Sequence, residues 1–104
     1  MDELWQTEWC PASRRVRQRL TELGIDFITR QVPVERDDRT ALVERTGSET
    51  IPVLVESDGE ITVGEASILA RLNARRFEPE AARAHQLRAD MARRRYLEEE
   101  CECT

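Results

Sequence analysis

The 104-residue sequence lacks lysine, long apolar runs and an apolar segment near its start. All sixteen basic residues are arginine, which we interpret as codon bias and not as a functional signal. No apolar run approaches the roughly 18 residues that a membrane span needs, so we expect no membrane association. The start, Met1-Asp2-Glu3, has no signal-peptide core, which predicts a protein of the reducing cytoplasm.

Histidine and cysteine are also scarce, which limits metal and disulfide chemistry. The odd number of cysteines (Cys10, Cys101 and Cys103) argues against a disulfide framework and favours chemistry at a single thiol. We interpret Cys101 and Cys103 as part of a mobile tail; the alternatives are metal binding or resolution of a mixed disulfide. A zinc site would need two more ligands, and His85 is predicted to be a surface residue on a polar helix, so no metal site is predicted.

The net charge of the chain limits the kinds of partner that we expect. The net charge is −5 and charged residues make up 36% of the chain, which argues against nucleic acid as the main partner. The length fits one domain with a modest core.

The most informative stretch is the transition from a predicted first strand into a predicted helix at Cys10. Pro11 suits the first helical position, because its missing N–H would have no partner there. Apolar residues follow at a helical period until Gly24. Helix N-termini and nearby cations lower a cysteine pKa from about 8.5 into the range of roughly 3.5–7.5, so Cys10 is a candidate nucleophile. The alternative is a buried thiol that only packs.

With the first strand and the helix after Cys10, the sequence predicts a strand–helix–strand unit, which is followed by a short helix, a β-hairpin and two more helices. The first unit predicts a parallel crossover and the hairpin adds antiparallel strands, so we expect an α/β fold with helices on both faces of a mixed sheet. Asp37 or Asp38 is the predicted cap of a short helix that ends near Gly47. The other predicted elements are strands at 25–32, 51–56 and 61–63, a helix from Glu65 to about Arg76, and a helix from Pro79 to roughly Leu97.

Three motifs occur in a fixed order along this pattern. They are Cys10-Pro11-Ala12-Ser13 at the strand-to-helix turn, Thr50-Ile51-Pro52 before the third strand, and Gly64-Glu65-Ala66-Ser67 at the start of a later helix. Together they resemble the thioredoxin fold and, within it, a glutaredoxin or the N-terminal domain of a glutathione S-transferase. The resemblance implies a four-stranded mixed sheet flanked by helices over residues 1–77, with an extra helix and charged tail over 78–104.

The resemblance also implies roles for the matching residues. Cys10 would be the nucleophile that becomes glutathionylated, with Ser13 donating a hydrogen bond to its thiolate. Pro52 would follow a cis peptide bond, and Ile51 would offer its backbone N–H and C=O to glutathione. The γ-glutamyl end would lie at the later helix start, where an acidic side chain pairs with its amine. The implied catalytic residues are Cys10 and Ser13, and the implied glutathione-binding residues are Pro11, Thr50, Ile51, Pro52, Glu65, Ala66 and Ser67.

Two departures from the family pattern shape the functional prediction. Ser13 stands where dithiol glutaredoxins carry a second cysteine, which favours a one-cysteine cycle. Transferases have an acid followed directly by serine, whereas Ala66 separates Glu65 from Ser67 here. We therefore predict a monothiol glutaredoxin-like oxidoreductase that uses glutathione, or another low-molecular-weight thiol, as co-substrate without a tightly bound cofactor.

The predicted partners are glutathionylated or disulfide substrates, and the chain is expected to be a monomer or weak dimer. Two other functions stay open. One is a glutathione-binding, transferase-like domain that acts in a dimer or has lost catalysis. The other is a carrier of a [2Fe–2S] cluster, although Pro11-Ala12 replaces the Gly-Phe typical of such monothiol proteins.

Overall fold

The chain is organised around a four-stranded mixed sheet, as the sequence predicts. The computed structural model describes residues 1–75 and 79–98. The strands are β1 (Asp2–Gln6), β2 (Phe27–Gln31), β3 (Val53–Val55) and β4 (Ile61–Val63). Their order in the sheet is β2-β1-β3-β4, with β1 and β2 parallel and both other pairs antiparallel. The parallel crossover and the hairpin are therefore confirmed, while β2 and β3 are shorter than predicted.

The helices begin and end close to the predicted positions. They are α1 (Pro11–Glu22), α2 (Thr40–Thr46), α3 (Glu65–Ala74) and α4 (Pro79–Glu98), with a short 3-10 helix at Arg36–Asp38 before α2. The predicted cap of α2 is wrong. Asp37 and Asp38 lie inside the 3-10 helix, and the residue before α2 is Arg39, which makes no side-chain cap bond. Gly47 ends α2 in the left-handed conformation, as expected of a glycine there.

The sheet buries apolar side chains on both faces because strand residues alternate in direction. On one face Leu4 and Leu54 pack against α1 and α3. On the other face Val53 and Val55 pack against Leu42 of α2. The helices thus cover both faces of the sheet. The core cluster under α1 and α3 is fully buried and consists of Leu4, Val16, Leu20, Leu54, Ile68 and Leu72.

One edge of the sheet collects the three motifs. The carboxyl ends of β1 and β4 and the amino end of β3 lie at this edge, because Trp5 pairs with Val53 and Val53 pairs with Val63. At this edge lie Gln6, the last residue of β1, Pro52, which precedes β3, and Gly64, which follows β4. The loop to Cys10, the segment before Pro52 and the start of α3 therefore meet at one end of the domain.

The last helix lies against α1 through polar contacts. His85 Nε2 is 2.8 Å from the carbonyl oxygen of Thr21, and Arg19 donates to Gln86 at 2.8 Å. Arg93 donates to Glu22 at 2.6 Å. His85 is predicted to lie at the surface; the residue is half-buried there, in contact with α1. The predicted domain boundary at 77/78 falls outside the described residues.

A buried carboxylate joins the first strand to the hairpin and to the end of α3. Asp2 is 4% exposed and accepts bonds from the Ser57 N–H and hydroxyl, both at 3.1 Å, and from Arg75 at 2.6 Å. Burial raises the pKa of Asp2, but the bonds from Arg75 and Ser57 outweigh it and leave the pKa below its usual value. The charged form is therefore the one that the fold stabilises.

We expect Asp2→Asn to lower the free energy of unfolding at pH 7 by about 1–3 kcal/mol, because it removes the charge from these bonds. Since the folded-state pKa lies below the unfolded value of about 3.9, the carboxylate stabilises the fold above that pH, and the contribution is lost as the pH falls through the folded-state pKa. Urea unfolding at pH 7 and at about pH 3 measures both effects. The exposed carboxylate Asp26, changed to Asn, is the matched control. Equal stabilities for Asp2→Asn and Asp26→Asn at pH 7 would contradict this role.

Candidate active site

Cys10 occupies the position before the first residue of α1. Its backbone is extended (φ −76°, ψ 118°), and its Sγ accepts a hydrogen bond from the Ser13 N–H at 3.5 Å. Pro11 takes the first helical position, as predicted. The sulfur thus caps the helix, a position that serine and other small polar residues usually fill. Cys10 is half-buried and makes no disulfide.

The surroundings of Cys10 favour its thiolate. Burial raises the pKa of Cys10, but the nearby Ser13 hydroxyl, hydrogen bonds from the backbone N–H groups of Ser13 and Ala12, and the charge of Arg15 outweigh it and leave the pKa below its ordinary value. Since the thiolate is the nucleophile, a lowered pKa increases the reactive fraction near neutral pH. These surroundings favour the predicted nucleophile over the alternative, a thiol that only packs.

The hydroxyl of Ser13 is the most unusual polar group nearby. Ser13 is completely buried, and among the described residues its Oγ makes no hydrogen bond of good geometry. A buried hydroxyl without a partner is costly, and most buried polar groups in proteins are satisfied. A negatively charged Sγ on Cys10 is an acceptor that would satisfy it.

Arg17 holds the loop that leads to Cys10, a role that the sequence analysis missed. Its guanidinium donates to the Gln6 side chain, to the Thr7 carbonyl at 3.3 Å and to the Glu8 carbonyl at 3.4 Å. The Cys10 N–H also bonds to the Thr7 carbonyl, at 3.4 Å. These contacts connect α1 to the loop and fix the approach to the sulfur.

The segment of the second motif has the geometry that the resemblance implies. The Ile51–Pro52 peptide bond is cis, Pro52 is buried and Ile51 is half-buried. The Pro52 carbonyl accepts a hydrogen bond from the Gly64 N–H at 2.9 Å, which ties this segment to the start of α3. Thr50 is exposed, and its hydroxyl is 3.0 Å from that of Ser48.

Arg39 supports the loop that precedes Thr50, and the sequence analysis did not identify it. Its guanidinium donates to the carbonyls of Pro33 at 2.9 Å, Val34 at 3.1 Å and Glu49 at 2.8 Å. The planar fork of an arginine suits such contacts with several acceptors. No periodicity in the sequence distinguishes this arginine from the fifteen others, so only the fold identifies it.

The third motif lies on the first turn of α3. Gly64 precedes the helix and supplies no side-chain cap, so the first N–H groups of α3 remain available to a carboxylate. Ala66 and Ser67 are exposed and Glu65 is half-buried. Glu65 forms a two-bond ion pair with Arg15 of α1, in which Arg15 Nη2 lies 3.0 Å from Glu65 Oε1. That hydrogen bond lowers the pKa of Glu65, so the carboxylate is charged at neutral pH.

The structure thus joins the third motif to the second directly, and to the helix that carries the first motif through Arg15. Ser13 contacts Cys10, Arg15 links α1 to Glu65, and Pro52 bonds to the residue before Glu65. Beside the sulfur, Trp9 is 68% exposed and forms an apolar surface that the sequence analysis left unassigned. The predictions for Cys101 and Cys103 lie outside the described residues.

Two absences among the described residues bear on other kinds of site. Within residues 1–75 and 79–98, no three His, Cys, Asp or Glu side chains are grouped to hold a metal ion. No helix in the same part of the chain has the length and apolar character to cross a membrane.

Comparisons with known proteins agree with this architecture. Residues 3–61 match the family model for glutaredoxin. Among solved structures, a glutathione S-transferase from Rhodospirillum rubrum F11 is 28% identical with a TM-score of 0.61, over 70% of this chain and 32% of that chain. A glutathione S-transferase from Methylobacillus flagellatus KT with glutathione bound is 26% identical with a TM-score of 0.63, over 73% and 37%.

Glutaredoxin 2 from Salmonella typhimurium in complex with glutathione is 16% identical with a TM-score of 0.62, over 71% of this chain and 33% of that chain, and shows the fold alone. No curated protein sequence matches this chain. The chain spans about a third of the length of the solved structures that it resembles. The sheet is that of a thioredoxin-like domain. Because the family model covers more than half of the sequence, the chain belongs to the glutaredoxin family.

Proposed function

We propose that this protein is a monothiol, glutathione-dependent thiol–disulfide oxidoreductase with Cys10 as its nucleophile. The observation that carries the proposal is the position of Cys10 at the start of α1, where Ser13 and Arg15 favour the thiolate. A second thiol in the position of Ser13 would support a dithiol cycle, and this chain has none there. The activity belongs in a reducing compartment, for which we propose the cytoplasm, because reduced glutathione is abundant there.

The proposed reaction has two exchange steps. The Cys10 thiolate attacks the glutathione sulfur of a glutathionylated substrate, forms the Cys10–glutathione disulfide and releases the substrate as a thiolate. A glutathione thiolate then attacks the glutathione sulfur of that mixed disulfide, which forms oxidised glutathione and regenerates the Cys10 thiolate. Each step breaks one S–S bond and forms one, so no further oxidant or reductant is required.

The proposed glutathione site follows the edge of the sheet. Ile51, beside the cis bond to Pro52, offers backbone groups to the cysteinyl part of glutathione. The first turn of α3 receives the γ-glutamyl end, with its N–H groups and the exposed Ser67 hydroxyl near the carboxylate and Glu65 for the amine. The transferase from Methylobacillus flagellatus KT, whose structure holds glutathione, supports glutathione as the ligand of this domain.

Steady-state kinetics with a glutathionylated peptide and reduced glutathione test the proposed cycle. We expect parallel lines in double-reciprocal plots, because the substrate leaves before the second glutathione reacts and a covalent intermediate separates the two steps. A Cys101→Ser/Cys103→Ser variant is the matched control and should give the same pattern. Intersecting lines, or loss of turnover in that variant, would contradict a one-cysteine cycle at Cys10.

A second candidate is a glutathione-binding, transferase-like domain of a longer protein. It is favoured by the transferases at 26% and 28% identity, of which this chain matches only about a third. Conjugation of glutathione to an electrophilic aromatic compound, by a stable dimer, would support it. In that reaction glutathione would attack the second substrate directly, so activity would survive the change Cys10→Ser.

A further inference from the structure

We propose that Arg15 competes with the ammonium group of the ligand for Glu65 and so sets how strongly the site selects ligands with a free amine at the γ-glutamyl end. The inference rests on the proposed glutathione site and goes beyond it by assigning a specificity-determining role to Arg15. It concerns the ion pair that occupies the amine position in the unliganded protein.

The contact between Arg15 and Glu65 uses both oxygens of the carboxylate. Arg15 Nε donates to Oε2 and Nη2 donates to Oε1 at 3.0 Å. A carboxylate that receives two bonds from one guanidinium is in its preferred pairing geometry. An incoming ammonium group therefore competes with Arg15 for the oxygens of Glu65.

The pair is also placed so that this replacement is easy. The Arg15 side chain is 57% exposed and that of Glu65 is 26% exposed, so the guanidinium recovers water when it leaves. Ion pairs with an exposed partner contribute little to stability. The fold consequently loses little when the pair opens, while Glu65 stays fixed on the first turn of α3.

The pair also connects the two halves of the proposed site. Arg15 lies on α1, two residues after Ser13, and Glu65 begins α3. Because the Arg15 charge contributes to the lowered pKa of Cys10, its position matters to both the thiolate and the amine site. Arg14 is its neighbour on the same helix and is exposed, but it does not bond to Glu65, so it provides a matched control.

The test compares two ligands that cannot exchange disulfides. One is S-methylglutathione; the other is the same molecule with glutaryl in place of γ-glutamyl, which lacks only the amine. The dissociation constant of each is measured for the wild-type protein and for Arg15→Gln, Arg14→Gln and Arg15→Gln/Glu65→Gln. The readout is the ratio of the two constants, which a general loss of fold would not change selectively, and Arg14→Gln controls for the loss of one positive charge from α1.

We expect the dissociation constants of the two ligands to be nearly equal for wild type and for Arg14→Gln. The amine of the ligand gains an ion pair with Glu65, but the protein loses the ion pair between Arg15 and Glu65. For Arg15→Gln the preference for the amine should rise about five-fold, the upper range for an exposed ion pair. Removing Glu65 as well should abolish that gain. An unchanged ratio in Arg15→Gln would overturn the competition, as would weaker binding of both ligands in Arg15→Gln than in Arg14→Gln, since Arg15 would then hold a ligand carboxylate.

Failure of the proposed function gives a different result. If neither ligand binds wild type or Arg15→Gln, the glutathione site itself is absent and both proposals are overturned. If S-methylglutathione binds wild type but the ratio of the two dissociation constants is the same in Arg15→Gln as in wild type, only the competition is overturned.

Discussion

Replacing Cys10 with serine is expected to lower kcat/KM for a glutathionylated peptide by at least about a thousand-fold. Both exchange steps pass through a disulfide at this sulfur, and a serine hydroxyl forms no such bond. The change is structurally mild, because serine is a preferred residue before the first turn of a helix and can keep the bond to the Ser13 N–H. The loss should therefore appear in turnover and not in the free energy of unfolding.

The tail cysteines supply the control for this variant. Cys101→Ser/Cys103→Ser removes two thiols and leaves Cys10, so its turnover should stay close to that of wild type. Turnover in Cys10→Ser above about a tenth of the wild-type value would contradict the role of Cys10 and would favour the transferase-like alternative, in which glutathione itself is the nucleophile.

Replacing Ser13 with alanine is expected to have opposite effects on reactivity and stability. The Ser13 hydroxyl contributes to the lowered pKa of Cys10, so its removal should raise that pKa. Below the pKa, the alkylation rate of Cys10 by iodoacetamide should fall about ten-fold, the consequence of losing one hydrogen bond to a charged acceptor. The measurement is the rate as a function of pH, in a protein that lacks Cys101 and Cys103.

The free energy of unfolding of Ser13→Ala distinguishes a serine that acts on the Cys10 thiolate from one that only stabilises the fold. Its Oγ is buried without a good hydrogen bond among the described residues, so deleting it relieves the cost of an unsatisfied group. We expect the free energy of unfolding to stay constant or to rise by up to about 1 kcal/mol. A loss of more than about 1 kcal/mol, with an unchanged alkylation profile, would show that Ser13 serves packing and not the thiolate.

The sequence predicts much of this fold because its signals are local. Pro11 at the first position of α1 and Gly47 after α2 act through their own backbone preferences, and the structure shows both as expected. The cis bond before Pro52 is different, because only the family resemblance, and no local preference, indicated it.

The sequence does not reveal contacts between residues far apart in the chain. Arg15 bonds to Glu65 and Arg39 bonds to the carbonyl of Glu49, yet the sequence contains sixteen arginines with similar neighbours. Choosing among them requires the crossing of α1 and α3 and the path of the loop before β3. The wrong cap at Asp37 or Asp38 has a related cause: the chain uses both in a 3-10 helix, which composition does not distinguish from a capping loop.

The mass of the intact protein after incubation with oxidised glutathione tests the central claim most directly. For wild type we predict an adduct of one glutathione at Cys10 that excess reduced glutathione removes, and for Cys10→Ser we predict no adduct outside the tail cysteines. Peptide mapping assigns the modified residue, and the Cys101→Ser/Cys103→Ser variant should keep the Cys10 adduct. A wild-type protein that carries glutathione only at Cys101 or Cys103, or carries none, would contradict the account of Cys10 as a one-cysteine exchange centre.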